Sequence, residues 1–140
     1  MAAIWAARSG AAVTILEKNA KIGRKIMLTG KGRCNLTNAK PWAQFSAHLH
    51  SKPAFFKPAF FSFSNLDTTN FFAAAGLRTV VTRDDRVFPE TMMASSVVDA
   101  LSAQIARHNV TVMSGCDVTK VVKDGRGYFL TSYLKSSDGL

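Results

Sequence analysis

An α/β fold containing half of a βαβ unit is what this sequence predicts, and three observations predict it. An alanine-rich helical stretch passes through a glycine into a short apolar strand that ends on an acid. A later segment has clear helical periodicity, and the last third of the chain breaks into short strands separated by turn residues. At 140 residues the chain is long enough for one domain with a real core. A hydrophobic share of 47% and a charged share of 19% exclude disorder as a description of the whole.

Residues 1–9 carry Ala-rich sequence with Ile4 and Trp5, a good helix former, and Gly10 stands where a helix C-terminus places a left-handed residue. Residues 12–16 then form an apolar run with Val13 and Ile15, read as a strand buried on both faces and ending at Glu17. Residues 19–38 are rich in Gly, Lys and Arg, with only Ile26, Met27 and Leu28 apolar in succession, so a structured loop is expected there. Between residues 41 and 65, Pro41, Pro53 and Pro58 alternate with Phe55-Phe56 and Phe60-Phe61, which predicts short helices begun by prolines and packed by rings. Asp67 is the expected N-cap of a helix that buries Phe71, Phe72 and Ala75 and stops at Gly76. A strand over 78–82, a turn at Asp84-Asp85 and a returning strand over 86–88 closed by Pro89 make a hairpin. Ala94, Val97, Val98, Leu101 and Ile105 recur at helical spacing and predict an amphipathic helix ending near His108-Asn109. Strands follow over 110–113, 118–122 and 128–133, the last two joined by a turn at Asp124-Gly125, and residues 136–139 read as a loop.

The net charge is +9, a field that attracts nucleic acid, anionic surfaces and phosphorylated small molecules alike. The cations are spread out, with no block of five or six as in a nucleic-acid-binding tail. Cys34 and Cys116 lack CxxC or Cys/His spacing, so neither a disulfide framework nor a zinc site is implied, and His48, His50 and His108 fall outside any metal spacing. The apolar start has no basic leader and is broken by Arg8 and Gly10, which argues against a signal peptide or membrane span and for a cytoplasmic protein.

Two constellations carry chemistry. Glu17, at a strand end, stands where a doubly wound nucleotide-binding fold puts a carboxylate against ribose hydroxyls, although a solvated acid is the alternative. No G-x-G-x-x-G occurs in the chain; that turn belongs just before the first helix, and the chain opens inside that helix, so the expectation is a fingerprint cut off. The run Gly23-Arg24-Lys25-Ile26-Met27-Leu28-Thr29-Gly30-Lys31-Gly32-Arg33-Cys34-Asn35-Leu36-Thr37-Asn38 is more specific. Gly30 and Gly32 permit close backbone approach, Lys25 and Arg33 supply donors suited to a diphosphate, and Asn35, Thr37 and Asn38 add neutral hydrogen-bonding groups. A plain surface loop is the competing reading of the same residues. From another class, a small basic module could bind RNA or DNA through Lys25, Lys31, Arg33 and the aromatics, and an inactive gene remnant is a third reading.

The run GRKIMLTGKGRCNLTN resembles the signature of the BaiN-like family of FAD/NAD(P)-dependent oxidoreductases. AAIWAARSGAAVTILEK resembles that family's helix after the fingerprint and its second strand, RVFP its Arg-Val-Phe-Pro element, and ASSVVDAL the following helix, so the resemblance covers most of the chain. It implies a partial Rossmann-like FAD-binding domain over residues 1–140, lacking its first strand and glycine fingerprint, from an oxidoreductase that passes hydride between NAD(P)H and an acceptor through FAD. By that resemblance Glu17, with Lys18 beside it, binds the adenosine ribose; Lys25 and Gly30, Gly32, Arg33, Cys34 and Asn35 line the flavin side; and Val118 meets the adenine. Cys34 reads as a small side chain packed at the cofactor rather than a nucleophile. Lys31 replaces a glycine common in the family, which speaks against a positive φ there. The partners implied are a flavin nucleotide and a small-molecule acceptor of unknown identity, with nucleic acid not expected and no membrane, and the isolated chain is expected to hold FAD weakly or not at all.

Overall fold

The computed structural model describes residues 1–134, and the loop expected over 136–139 lies outside them. Along the chain run α1 (Ala2–Arg8), β1 (Thr14–Glu17), α2 (Arg24–Leu28), a 3-10 turn (Thr29–Gly32), β2 (Thr37–Asn38), α3 (Trp42–Ser46), α4 (Pro53–Ser62) and α5 (Asn65–Ala74). They are followed by β3 (Thr79–Val81), β4 (Arg86–Pro89), α6 (Ala94–Arg107), β5 (Thr111–Ser114), β6 (Cys116–Asp124) and β7 (Gly127–Leu134). The chain divides into two compact units, one of Met1–Arg24 with Ser102–Leu140 and one of Lys25–Leu101.

In the first unit β1 and β5 pair in parallel, Thr14 with Thr111 through Glu17 with Ser114. Parallel pairing needs a long crossover rather than a tight turn, which nearly a hundred residues of intervening chain provide. Burial of β1 on both faces is not realised. Thr14 is exposed and Ile15, Leu16 and Glu17 are half-buried, because β5 is the one strand hydrogen-bonded to β1 among the described residues. α1 ends as its glycine predicts. Gly10 has φ 89, its N–H donates to the Ala7 carbonyl at 2.9 Å, and the next N–H, of Ala11, reaches the Ala6 carbonyl at 3.1 Å. β6 and β7 form an antiparallel hairpin whose turn is tied by Asp124 Oδ1, which accepts the N–H groups of Arg126 and Gly127 at 2.7 and 2.9 Å.

The second unit holds the sheet β2-β4-β3, antiparallel throughout. The expected hairpin is present as β3 and β4. Thr82 N–H reaches the Arg86 carbonyl at 2.8 Å, and Asp85 takes the left-handed position of a three-residue loop at φ 56. The core of this unit is Cys34, Phe72, Leu77, Ala94, Val97 and Ala100, with Ile26, Leu36, Phe71, Ala75 and Leu101 packed against it. Of the stripe predicted for α6, Ala94 and Val97 are buried and Val98, Leu101 and Ile105 half-buried, while Ala100, outside the predicted stripe, is buried with them.

Four expectations are corrected here. Residues 19–38 are not mainly loop, since Arg24–Leu28 close a short helix that the consecutive Ile26, Met27 and Leu28 concealed. The N-cap of α5 is Ser64, and Asp67 is its third helical residue, answering it in a capping box. Pro53 begins α4, but Pro58 lies inside that helix rather than starting another. The phenylalanines are not uniformly core: Phe60 is buried against Trp42 and Phe45 at centroid distances of 5.1 and 5.3 Å, whereas Phe55 is 86% and Phe61 62% exposed. No helix among the described residues is long and apolar enough to cross a membrane.

Candidate functional site

Glu17 closes β1, and the chain turns immediately after it. Its Oε1 accepts both the backbone N–H and the side-chain Nδ2 of Asn19, each at 2.7 Å, while Asn19 Oδ1 accepts from Arg24 Nη1 at 3.1 Å. The carboxylate is thus held in one orientation at the carboxyl end of a parallel strand, where open α/β sheets bind ligands. Lys18 Nζ lies 2.8 Å from Asp117 Oδ2, and the N–H of Gly115 donates to the Asn19 carbonyl at 3.1 Å. These two contacts bring the start of β6 to the end of β1. Val118, half-buried, pairs with Ser132 immediately before a register shift in β6. The first unit therefore gathers Glu17, Lys18 and the segment leading into Val118, which lie a hundred residues apart in sequence.

In the second unit the Gly30–Asn35 loop is built from left-handed residues in succession. Gly30 and Lys31 sit at φ 55 and 56, Gly32 at φ 83, and Cys34 at φ 59 after Arg33 in the right-handed region. Lys31 thus adopts the positive φ that its side chain argued against. At Gly30 a Cβ would come within 3.3 Å of the Asn35 backbone nitrogen, a tight approach that favours glycine; at Gly32 no protein atom lies within 4 Å of that position, leaving bare backbone open to approach. The loop curls on itself. Arg33 N–H donates to the Gly30 carbonyl and Cys34 N–H to the Thr29 carbonyl, both at 3.2 Å, so these two amides are turned inward rather than toward a ligand.

The loop rests on β4. Arg33 lies over the Phe88 ring at 5.2 Å, Leu36 N–H donates to the Val87 carbonyl at 2.8 Å, and the Asn35 amide, assigned with its nitrogen facing the carbonyls of Thr37 and Val87, donates to them at 2.9 and 3.1 Å. The Gly-Lys-Gly-Arg-Cys-Asn and Arg-Val-Phe-Pro segments, separate in sequence, are one piece of structure. Arg33 and Asn35 are in part scaffold, and Cys34 is buried in the core. Lys25 and Lys31 are exposed and have no ion-pair partner among the described residues. Residue reasoning missed Asn19, Asp117 and Phe88. Asn19 stands two residues after Glu17, close enough in sequence for its backbone and side-chain N–H groups to reach that carboxylate, whereas the other two depend on pairing that no local pattern encodes. Among the described residues no three of His, Cys, Asp and Glu come together to hold a metal.

The chain is 36% identical over 132 residues to the 3-dehydro-bile acid delta(4,6)-reductase of Clostridium scindens, covering 93% of this chain and 32% of that protein. It is 30% identical over 125 residues to the ribosomal RNA dihydrouridine synthase of Escherichia coli K12, covering 89% and 30%. The synthase of the same name from Haemophilus influenzae is 27% identical over 115 residues, covering 82% and 28%. The chain thus spans about a third of the length of the curated relatives it matches. The model of the HI0933-like protein Rossmann domain matches residues 1–139. That match takes in both the β1 carboxylate and the glycine-rich loop seated on β4, and the chain belongs to the HI0933-like Rossmann-domain family.

Proposed function

We propose that this chain is the FAD-binding part of a flavin-dependent oxidoreductase. The observation that carries the reading is the Glu17 carboxylate, fixed by Asn19 at the end of a parallel strand, in a chain related to a reductase. FAD supplies hydride chemistry when bound, passing electrons from NAD(P)H to an acceptor. Each unit taken by itself has donors of suitable chemistry: in the first, Glu17 is an acceptor for the vicinal hydroxyls of a ribose, and in the second, Lys25 and Lys31 are cations suited to a diphosphate and Gly32 offers backbone without a side chain in the way. Lys18 is engaged with Asp117, so its part is to hold β6 beside Glu17 rather than to meet the ribose itself. Val118 would face the adenine through its backbone.

Titration with FAD and with FMN, followed by quenching of flavin fluorescence, tests this reading. FMN lacks the adenosine that Glu17 would bind. FAD should bind at least about tenfold tighter, a difference of about 1.4 kcal/mol, and Glu17→Ala should erase the difference. Affinity for the chain alone should be modest, since these 140 residues contain no G-x-G-x-x-G to hold the diphosphate. Equal binding of FMN and FAD would overturn the assignment.

A second reading concerns the acceptor. Two relatives are named for ribosomal RNA, and this chain has a net charge of +9. If RNA is the acceptor, binding to ribosomal RNA should fall steeply as salt rises, and the cation loss Lys31→Gln should flatten that slope.

A further inference from the structure

A groove of about 590 Å³ opens in the second unit, lined by Asn38, Lys40, Phe45, His48 and the turn residues Arg83, Asp84, Asp85 and Arg86. Its volume falls within the roughly 300–1,000 Å³ usual for small-ligand sites. Asn38 is the last residue of the glycine-rich run, and none of these residues is among the donors assigned to FAD above. The lining charges compensate one another with one exception. Lys40 Nζ is 2.5 Å from Asp85 Oδ2, and Arg86 is paired with Asp84, while Arg83 has no ion pair among the described residues. Its guanidinium is the uncompensated charge of the groove, and guanidinium is the side chain best matched to phosphate oxygens.

The frame around that charge is fixed. Ala39 N–H donates to the Asp85 carbonyl at 2.6 Å, Asn38 Nδ2 to the Asp84 carbonyl at 3.2 Å, and Asn38 Oδ1 accepts the Lys40 N–H at 2.9 Å. These bonds hold Asp85 in a left-handed conformation that glycine or asparagine would take at lower cost, so the turn is built to a set shape. Phe45, half-buried, contributes an aromatic ring to the lining, and the carboxylates of Asp84 and Asp85 add acceptors for ring amino groups. A flat heterocycle carrying amino groups and joined to a phosphate matches all three features.

We propose that this groove binds a nucleoside monophosphate, with its base against Phe45 and its phosphate on Arg83. The proposal stands apart from the flavin reading, because no groove residue is assigned to FAD, and a failed FAD titration would leave it untouched. The test is titration of the full chain with AMP, adenosine and inorganic phosphate, followed by amide chemical shifts. AMP should bind at least about tenfold tighter than either component, as expected when ring and phosphate contacts act together, and shifts should centre on Phe45, His48 and Arg83. Arg83→Gln, in an exposed turn, should keep the native spectrum, lower AMP affinity about tenfold and leave adenosine unchanged. AMP binding no tighter than inorganic phosphate, unchanged binding by the variant, or shifts confined to the surroundings of Glu17 would overturn it.

Discussion

Lys31 occupies the left-handed region at φ 56 and ψ 44 between two glycines that share it. A side chain there costs roughly 1–2 kcal/mol, whereas glycine avoids the clash but gives up about 0.5–1 kcal/mol through the freer unfolded chain. The balance favours glycine, so Lys31→Gly should raise stability by up to about 1 kcal/mol and Tm by up to about 4 °C. Scanning calorimetry reads the shift. The same change removes an exposed ammonium from the loop proposed to face a diphosphate, so FAD affinity should fall while Tm rises. A Tm that falls instead would mean that the lysine side chain holds the loop and that strain is not the controlling term. Residue chemistry announced this loop, but not its backbone: a lysine argues against positive φ, and the flanking glycines and the inward bonds of Arg33 and Cys34 override that argument.

At the scale of elements, α5 shows why end signals blur. Ser64 and Asp67 stand three apart, and each is a plausible first residue on composition. The structure joins them: Asp67 N–H donates to Ser64 Oγ at 3.2 Å, and Asp67 Oδ2 accepts Ser64 N–H at 2.7 Å and Ser64 Oγ–H at 2.6 Å. The hydrogen bond from the Ser64 hydroxyl, then that from its backbone N–H, hold the Asp67 carboxyl below its ordinary value of 3.8. A lowered carboxylate stabilises the fold in full above that ordinary value, and the stabilisation is lost as pH falls through the lower folded value. Ser64→Ala should therefore cost about 1 kcal/mol near neutrality and less in acid, where only the Asp67 N–H bond to Ser64 Oγ remains to be lost. Urea unfolding at about pH 7 and about pH 2.5 makes the comparison; an equal cost at both would show that the carboxylate takes no part. α4 carries the opposite lesson. Its rings read as core, yet its Phe55 and Phe61 are exposed, because a helix apolar on every side gives no periodic signal to mark the face that is covered.

For the molecule as a whole, what was legible followed contact range. α6, the β3–β4 hairpin and the β6–β7 hairpin were readable because period and turn residues lie within the element itself. β2 was not, since Thr37-Asn38 has no period of its own and becomes a strand only through Val87 and Arg86. The residue types of the candidate site were legible at Glu17 and from Gly30 to Asn35, whereas the seat of that loop on Phe88 was not. Charge has a similar long-range character. Residues 18–66 hold nine lysines and arginines and no carboxylate, while the rest of the chain holds nine of each sign, so the entire excess of +9 sits in that one stretch. Such a segment repels itself at low ionic strength, where the Debye length is about 30 Å at ~10 mM salt, and far less at ~150 mM, where it is about 8 Å. Sodium chloride should therefore raise Tm over that range. Pyrophosphate at matched ionic strength should raise it further if Lys25 and Lys31 serve a diphosphate, because a bound anion stabilises the folded state by mass action whereas screening is indifferent to the ion. The two salts separate the field from the site: equal shifts would leave screening as the whole effect, and the extra shift should shrink in Lys31→Gln, which removes one cation of that loop.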